Sequence, residues 1–104
     1  MPGKNIGKLI LPKSTIVVKS GAFERTMFIS IVCNEGLKEI ESDAFSNCYY
    51  LSEVHFPKTI EKIDDDAFNM CYCLTTVYGY TDTEAERFAI YNRLRFISLD
   101  DLEP

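Results

Sequence analysis

The pair Ala-Phe occurs three times, at Ala22-Phe23, Ala44-Phe45 and Ala67-Phe68, with offsets of 22 and 23 residues. Much of the intervening sequence repeats with it. Three residues after each Phe stand Thr26, Cys48 and Cys71; six after stand Ile29, Leu51 and Leu74; nine after stand Val32, Val54 and Val77. Five residues before each Phe lie Val18, Ile40 and Ile63, and Pro12 and Pro57 precede the first and third by eleven. A period in the low twenties lies in the leucine-rich-repeat range and is too short for ankyrin, tetratricopeptide or propeller units. A chain with this repetition is expected to coil into a solenoid, in which each unit buries its apolar face against the next.

In such a coil each unit contributes a short strand, and successive strands lie side by side about 4.8 Å apart as a parallel sheet. The phase places strands near Lys8–Leu11, Ile31–Asn34, Glu53–Phe56 and Thr76–Gly79. Strand alternation then sends Leu9, Leu11, Val32, Val54, Phe56 and Val77 inward. Ile31, Cys33, Glu53, His55, Thr76 and Tyr78 are expected to face out and form the candidate binding surface. From the far side of the coil Phe23, Phe45 and Phe68 should stack as an aromatic spine, with Leu51 and Leu74 beside them. Segments 20–23, 42–45 and 65–68 read as single helical turns leading into each Phe. Pro12 and Pro57 punctuate the ends of strands, where a missing N–H is tolerated. The second unit has Asn34-Glu35-Gly36 at that point, and the missing residue of the 22-residue spacing is placed there.

After Tyr80 the pattern becomes helical. Thr83-Glu84-Ala85-Glu86 has the form of a capping box, in which Thr83 accepts from the Glu86 N–H and Glu86 reaches back. Ala85, Phe88, Ala89 and Asn92 follow on one face. Leu94–Leu99 reads as a last strand and residues 100–104 as an acidic tail. The expected division is repeat coils over residues 1–80 and a capping helix, strand and tail over 81–104, in one continuous domain. A terminal coil needs such a cover.

Four cysteines stand at 33, 48, 71 and 73. Cys48 and Cys71 share a slot and are expected to be buried structural thiols. A lone Cys-x-Cys is a poor zinc signal, and no metal or other cofactor is expected. The single His, the lack of a Gly-rich phosphate loop and the lack of a His-Glu-x-x-His motif argue against an enzyme. The sharpest catalytic idea is a Cys33–His55 nucleophile pair on neighbouring strands, weighed against a solvent-facing ladder. Asp64-Asp65-Asp66 is read as a solvated turn rather than a calcium site, because the slot holds Lys19 and Glu41 in the other units. A net charge of −5 supplies no basic field for nucleic acid, and no run approaches the roughly 18 apolar residues of a membrane span. The six tyrosines are denser than any catalytic feature and suit either packing between coils or contact with a partner.

The units Ile40…Ala44-Phe45-x-x-Cys48-x-x-Leu51-x-x-Val54-x-Phe56-Pro57 and Ile63…Ala67-Phe68-x-x-Cys71-x-x-Leu74-x-x-Val77 resemble the BspA-like branch of leucine-rich repeats. The resemblance spans Leu9 to Val77, and the segment from Tyr78 to Phe96 looks like that family's closing module. Thr26 in place of Cys and the missing Pro of the second unit depart from its pattern. The resemblance implies an α/β repeat solenoid, a right-handed leucine-rich-repeat coil with a short parallel sheet on one face and a C-terminal capping helix plus strand. It further implies a non-catalytic protein-interaction or adhesion module, secreted or cell-surface, binding an extracellular-matrix or host-cell protein. The chain itself shows no signal peptide, so a cytoplasmic setting stays open. The second reading is a structural terminal segment of a longer solenoid with no ligand of its own. An open edge at Lys8–Leu11 could also pair with a second copy.

Overall fold

A computed structural model describes residues 7–100. The chain winds through four turns whose strands come in two sets. Strands β1 (Lys8–Ile10), β3 (Ser30–Val32), β5 (Glu53–His55), β7 (Thr76–Gly79) and β8 (Arg95–Ser98) form one five-stranded parallel sheet, in that order. Two-residue strands β2 (Val17–Val18), β4 (Glu39–Ile40) and β6 (Lys62–Ile63) form a second parallel sheet. It contains the slot five residues before each Phe, and its inward residues Val18, Ile40 and Ile63 are buried. No strand is legible there from alternation, because two residues are too few to show a period.

A third line of hydrogen bonds closes the coil. The Phe23 N–H donates to Ala44 O and the Phe45 N–H to Ala67 O, both at 2.8 Å. Two residues on, Arg25 N–H donates to Ser46 O and Asn47 N–H to Asn69 O, both at 2.9 Å. The segments before each Phe are hydrogen-bonded turns, not helical turns. Each turn reverses through a left-handed residue two positions after the Phe, with φ of 64° at Arg25, 62° at Asn47 and 66° at Met70.

The phenylalanine spine is present. Phe23 and Phe45 rings stack at 5.3 Å, and Phe45 and Phe68 at 5.0 Å, within 7° of parallel. Phe68 meets Phe88 of the capping helix at 5.4 Å, so the stack ends on the cap. Phe45, Leu51, Val54 and Val77 are fully enclosed, Cys48 and Phe68 are buried, and Phe23, Cys71 and Leu74 pack half-buried against them.

The register of β3 differs from the expected one. Ile31 pairs with Leu9 and Val54, and Val32 with Ile10 and His55. Ile31 therefore fills the core, while Val32, expected inside, lies on the outer row and is only partly covered. The missing residue accounts for this. Thr26 still aligns with Cys48 at an offset of 22, whereas Ser30 pairs with Glu53 at 23, so the gap falls between Thr26 and Ser30 and not at Asn34-Glu35-Gly36. One residue, Met27, stands where later coils carry two. Phe28, not Ile29, then packs against the core in the place of Leu51 and Leu74. At Asn34 the turn keeps its length: the side chain replaces the proline by donating to Lys13 O and Thr15 O of the coil before.

Helix α1 (Glu84–Tyr91) lays Ala85, Phe88 and Ala89 against the last coil. It comes close: a Cβ on Gly79 would lie 2.8 Å from the Ala85 Cβ. Its N-terminus is a variant of the expected box. The Thr83 hydroxyl accepts from the Ala85 N–H, and Glu86 reaches back to the Asp82 N–H. Residues 101–104 of the expected acidic tail lie outside the described residues.

Candidate functional site

The outer face of the large sheet is the candidate site, and the register sorts it into two rows. Lys8, Ser30, Glu53, Thr76 and Arg95 make one row; Ile10, Val32, His55, Tyr78 and Ile97 make the other. Parallel in-register pairing places equivalent residues of adjacent coils directly beside one another.

Its centre is held by side-chain contacts. The His55 ring lies flat on the Tyr78 ring, with centroids 4.2 Å apart and planes within 9°. His55 Nε2 is 3.0 Å from Glu53 Oε2, and the Ser30 hydroxyl donates to the same oxygen at 3.2 Å. The His55 hydrogen bond, followed by that of Ser30 and the nearby charges of His55 and Lys8, outweighs partial burial and holds the Glu53 carboxyl below its usual value. The face is thus an ordered aromatic pair flanked by aliphatic residues, with a carboxylate fixed beside it.

Of the six residues expected on this surface, Glu53, His55, Thr76 and Tyr78 lie on it. Ile31 and Cys33 do not, being 0% and 6% exposed. Val32 takes the place beside His55 that Cys33 was expected to hold. The Cys33–His55 pair fails on the same register: the Cys33 N–H donates to His55 O, while its thiol is enclosed in the core, where burial raises its pKa. Ser30, Val32 and the β8 residues Arg95 and Ile97 were missed. Aligning Phe28 with Leu51 and Leu74 would have recovered the first two.

Away from the sheet, the Thr26, Cys48 and Cys71 side chains form a column. Thr26 Oγ1 is 3.2 Å from Cys48 Sγ, while Cys48 Sγ donates to Phe23 O at 3.3 Å and Cys71 Sγ to Phe45 O at 3.1 Å. Both sulfurs thus reach back to a backbone carbonyl of the preceding coil. Cys71 is pushed up first by its hydrogen bond with Cys48 and then by burial. All four cysteines are free, and no cluster of potential metal ligands occurs among the described residues. In the aspartate run, Asp64 Oδ1 accepts the Asp66 N–H and Asp65 pairs with Arg87 at 3.1 Å, as in a braced turn. Tyr49 and Tyr72 stack at 5.8 Å on an exposed edge.

A parallel solenoid with a repeated Ala-Phe spine and a helical cap defines a leucine-rich-repeat protein. The chain belongs to the BspA-type leucine-rich repeat family, whose model (BspA type Leucine rich repeat region, 6 copies) matches residues 2–99. No curated protein and no solved structure matches the chain. Repeats of this family are generally non-catalytic protein-interaction modules and typically surface-associated. No helix among the described residues is long and apolar enough to cross a membrane.

Proposed function

We propose that the chain is a non-enzymatic binding module that takes a protein partner on the outer face of its large sheet, in the setting of cell-surface adhesion. The His55–Tyr78 stack carries this reading. It is a pre-ordered aromatic platform at the middle of a solvent-facing row, so a partner meets contact area that costs little further side-chain entropy to fix. Glu53, held by Ser30 and His55, supplies a fixed acceptor at its rim, and Val32, Ile10 and Ile97 extend the apolar row. The mechanism is burial of area around an aromatic anchor, with no bond chemistry.

Binding to immobilised extracellular-matrix proteins tests it. Tyr78→Ala should weaken the interaction by about 2 kcal/mol, the loss typical of an anchor, and His55→Ala should act in the same direction. Unchanged binding by both variants would remove this face as the site.

A further inference from the structure

Among the described residues, the cap closes two of the three hydrogen-bond ladders at the C-terminal end and leaves the third open. Strand β8 continues the large sheet. The small sheet ends on side chains: Glu84 Oε2 accepts the Ile63 N–H at 2.9 Å, and Arg87 donates to Ile63 O at 3.2 Å. The third ladder has no such ending. In the two coils before, its donors reach carbonyls two residues apart: Phe23 and Arg25 to Ala44 and Ser46, Phe45 and Asn47 to Ala67 and Asn69. The equivalent donors of the last coil are Phe68 and Met70, whose N–H groups have no partner among the described residues. Both residues line a cleft of about 520 Å³ between this turn and the helix, walled also by Asp66, Tyr72, Phe88 and Tyr91.

We propose that this cleft binds a turn-shaped peptide segment of a partner protein, folded like the turns of the preceding coils, which adds one rung to the ladder. An unpaired row of backbone donors is a template for pairing with another chain, and the turns of the preceding coils show what fits it. The first bound residue gives its carbonyl to Phe68 and is small, as Ala44 and Ala67 are in its place, both fully buried. The next must lack a large side chain, because Phe88 already occupies the inward slot against Phe68. The third gives its carbonyl to Met70. Upstream, a basic residue meets Asp66, which is exposed, whereas Asp65 is engaged by Arg87. Downstream, an aromatic ring extends the Tyr49–Tyr72 stack on the free side of Tyr72, itself 70% exposed. The site lies on a different face of the coil from the sheet, so its occupancy is independent of the sheet-face reading.

The test uses the full chain and an end-capped synthetic peptide, Lys-Lys-Ala-Gly-Ser-Gly-Ser-Tyr, followed through amide proton shifts. The Phe68 and Met70 amide protons should move downfield and saturate together, while those of β5 and β7 stay in place. Replacing the Ala and Ser carbonyls of the peptide with methylene groups should weaken binding at least about tenfold. Asp66→Lys, which changes an exposed side chain, should weaken it in the same sense. Saturable binding that leaves these two amides unmoved, or that is indifferent to loss of the carbonyls, would overturn the proposal, as would no binding at millimolar peptide. Self-association of the protein that shifts the same amides without any peptide response would overturn it in favour of a second copy.

Discussion

Phe45 shows how a single side chain serves the repeat. It is fully enclosed, its ring is sandwiched by Phe23 and Phe68, and its backbone carries a rung of the third ladder. Both neighbouring coils are held by their own strands, so the cavity left by truncation cannot collapse. Phe45→Ala should therefore cost about 3–5 kcal/mol, read as a lower urea midpoint at unchanged slope; Phe23, half-exposed at the end of the stack, should cost less. Glu53 offers a second check. Its carboxyl is held below the ordinary value of 4.5, so the folded state binds the proton less readily than the unfolded chain does. That stability is present above the ordinary value and is lost as the pH falls through the lower folded one. Glu53→Gln should flatten the fall in stability on acidification, and a slope equal to that of the unsubstituted protein would show the Ser30–Glu53–His55 contacts to be energetically idle. Glu84, on which burial is the largest single influence but is outweighed by the Arg87 hydrogen bond, the Ile63 N–H and the Arg87 charge together, is also held low and leaves a residual slope in either case.

At the scale of elements, what could be read from the sequence followed from repetition, and what could not followed from its breaks. The Ala-Phe phase located the spine, and helical spacing after Tyr80 located the cap, because both signals recur over many residues. The register of β3 was displaced by one residue because Phe28 and Ile29 are both apolar and either could continue the Leu51–Leu74 column. In a strand, where the side-chain period is two, that single step turns every residue to the opposite face, which put Ile31 and Cys33 outside and Val32 inside. Glu84 and Arg87 could not be recognised as an edge cover at all, since their partner, Ile63, is more than twenty residues away and joined only by the coil. The cap also sets a steric limit. Helix α1 approaches β7 so closely that Gly79 has no room for a Cβ. Gly79→Ala should destabilise the chain by about 1–3 kcal/mol through overpacking, with loss of helix signal accompanying the loss of stability in thermal melts; wild-type stability would mean the helix stands off the sheet.

For the molecule as a whole, three ladders and one aromatic stack all depend on equivalent residues of successive coils lying over one another, and so do both candidate surfaces. The His55–Tyr78 platform exists because β5 and β7 are in register, and the donor pair in the cleft exists because a third ladder runs the length of the coil and stops short of the cap. Contacts in such a stack are made between neighbouring coils, so each coil depends on those beside it. The measurement that tests this arrangement most directly is a nuclear Overhauser spectrum of the aromatic side chains. Phe45 ring protons should show cross-peaks to both Phe23 and Phe68, with Phe68 linked in turn to Phe88. Phenylalanine rings without mutual cross-peaks, each reporting a different set of neighbours, would contradict the stacked coil and both surfaces built on it.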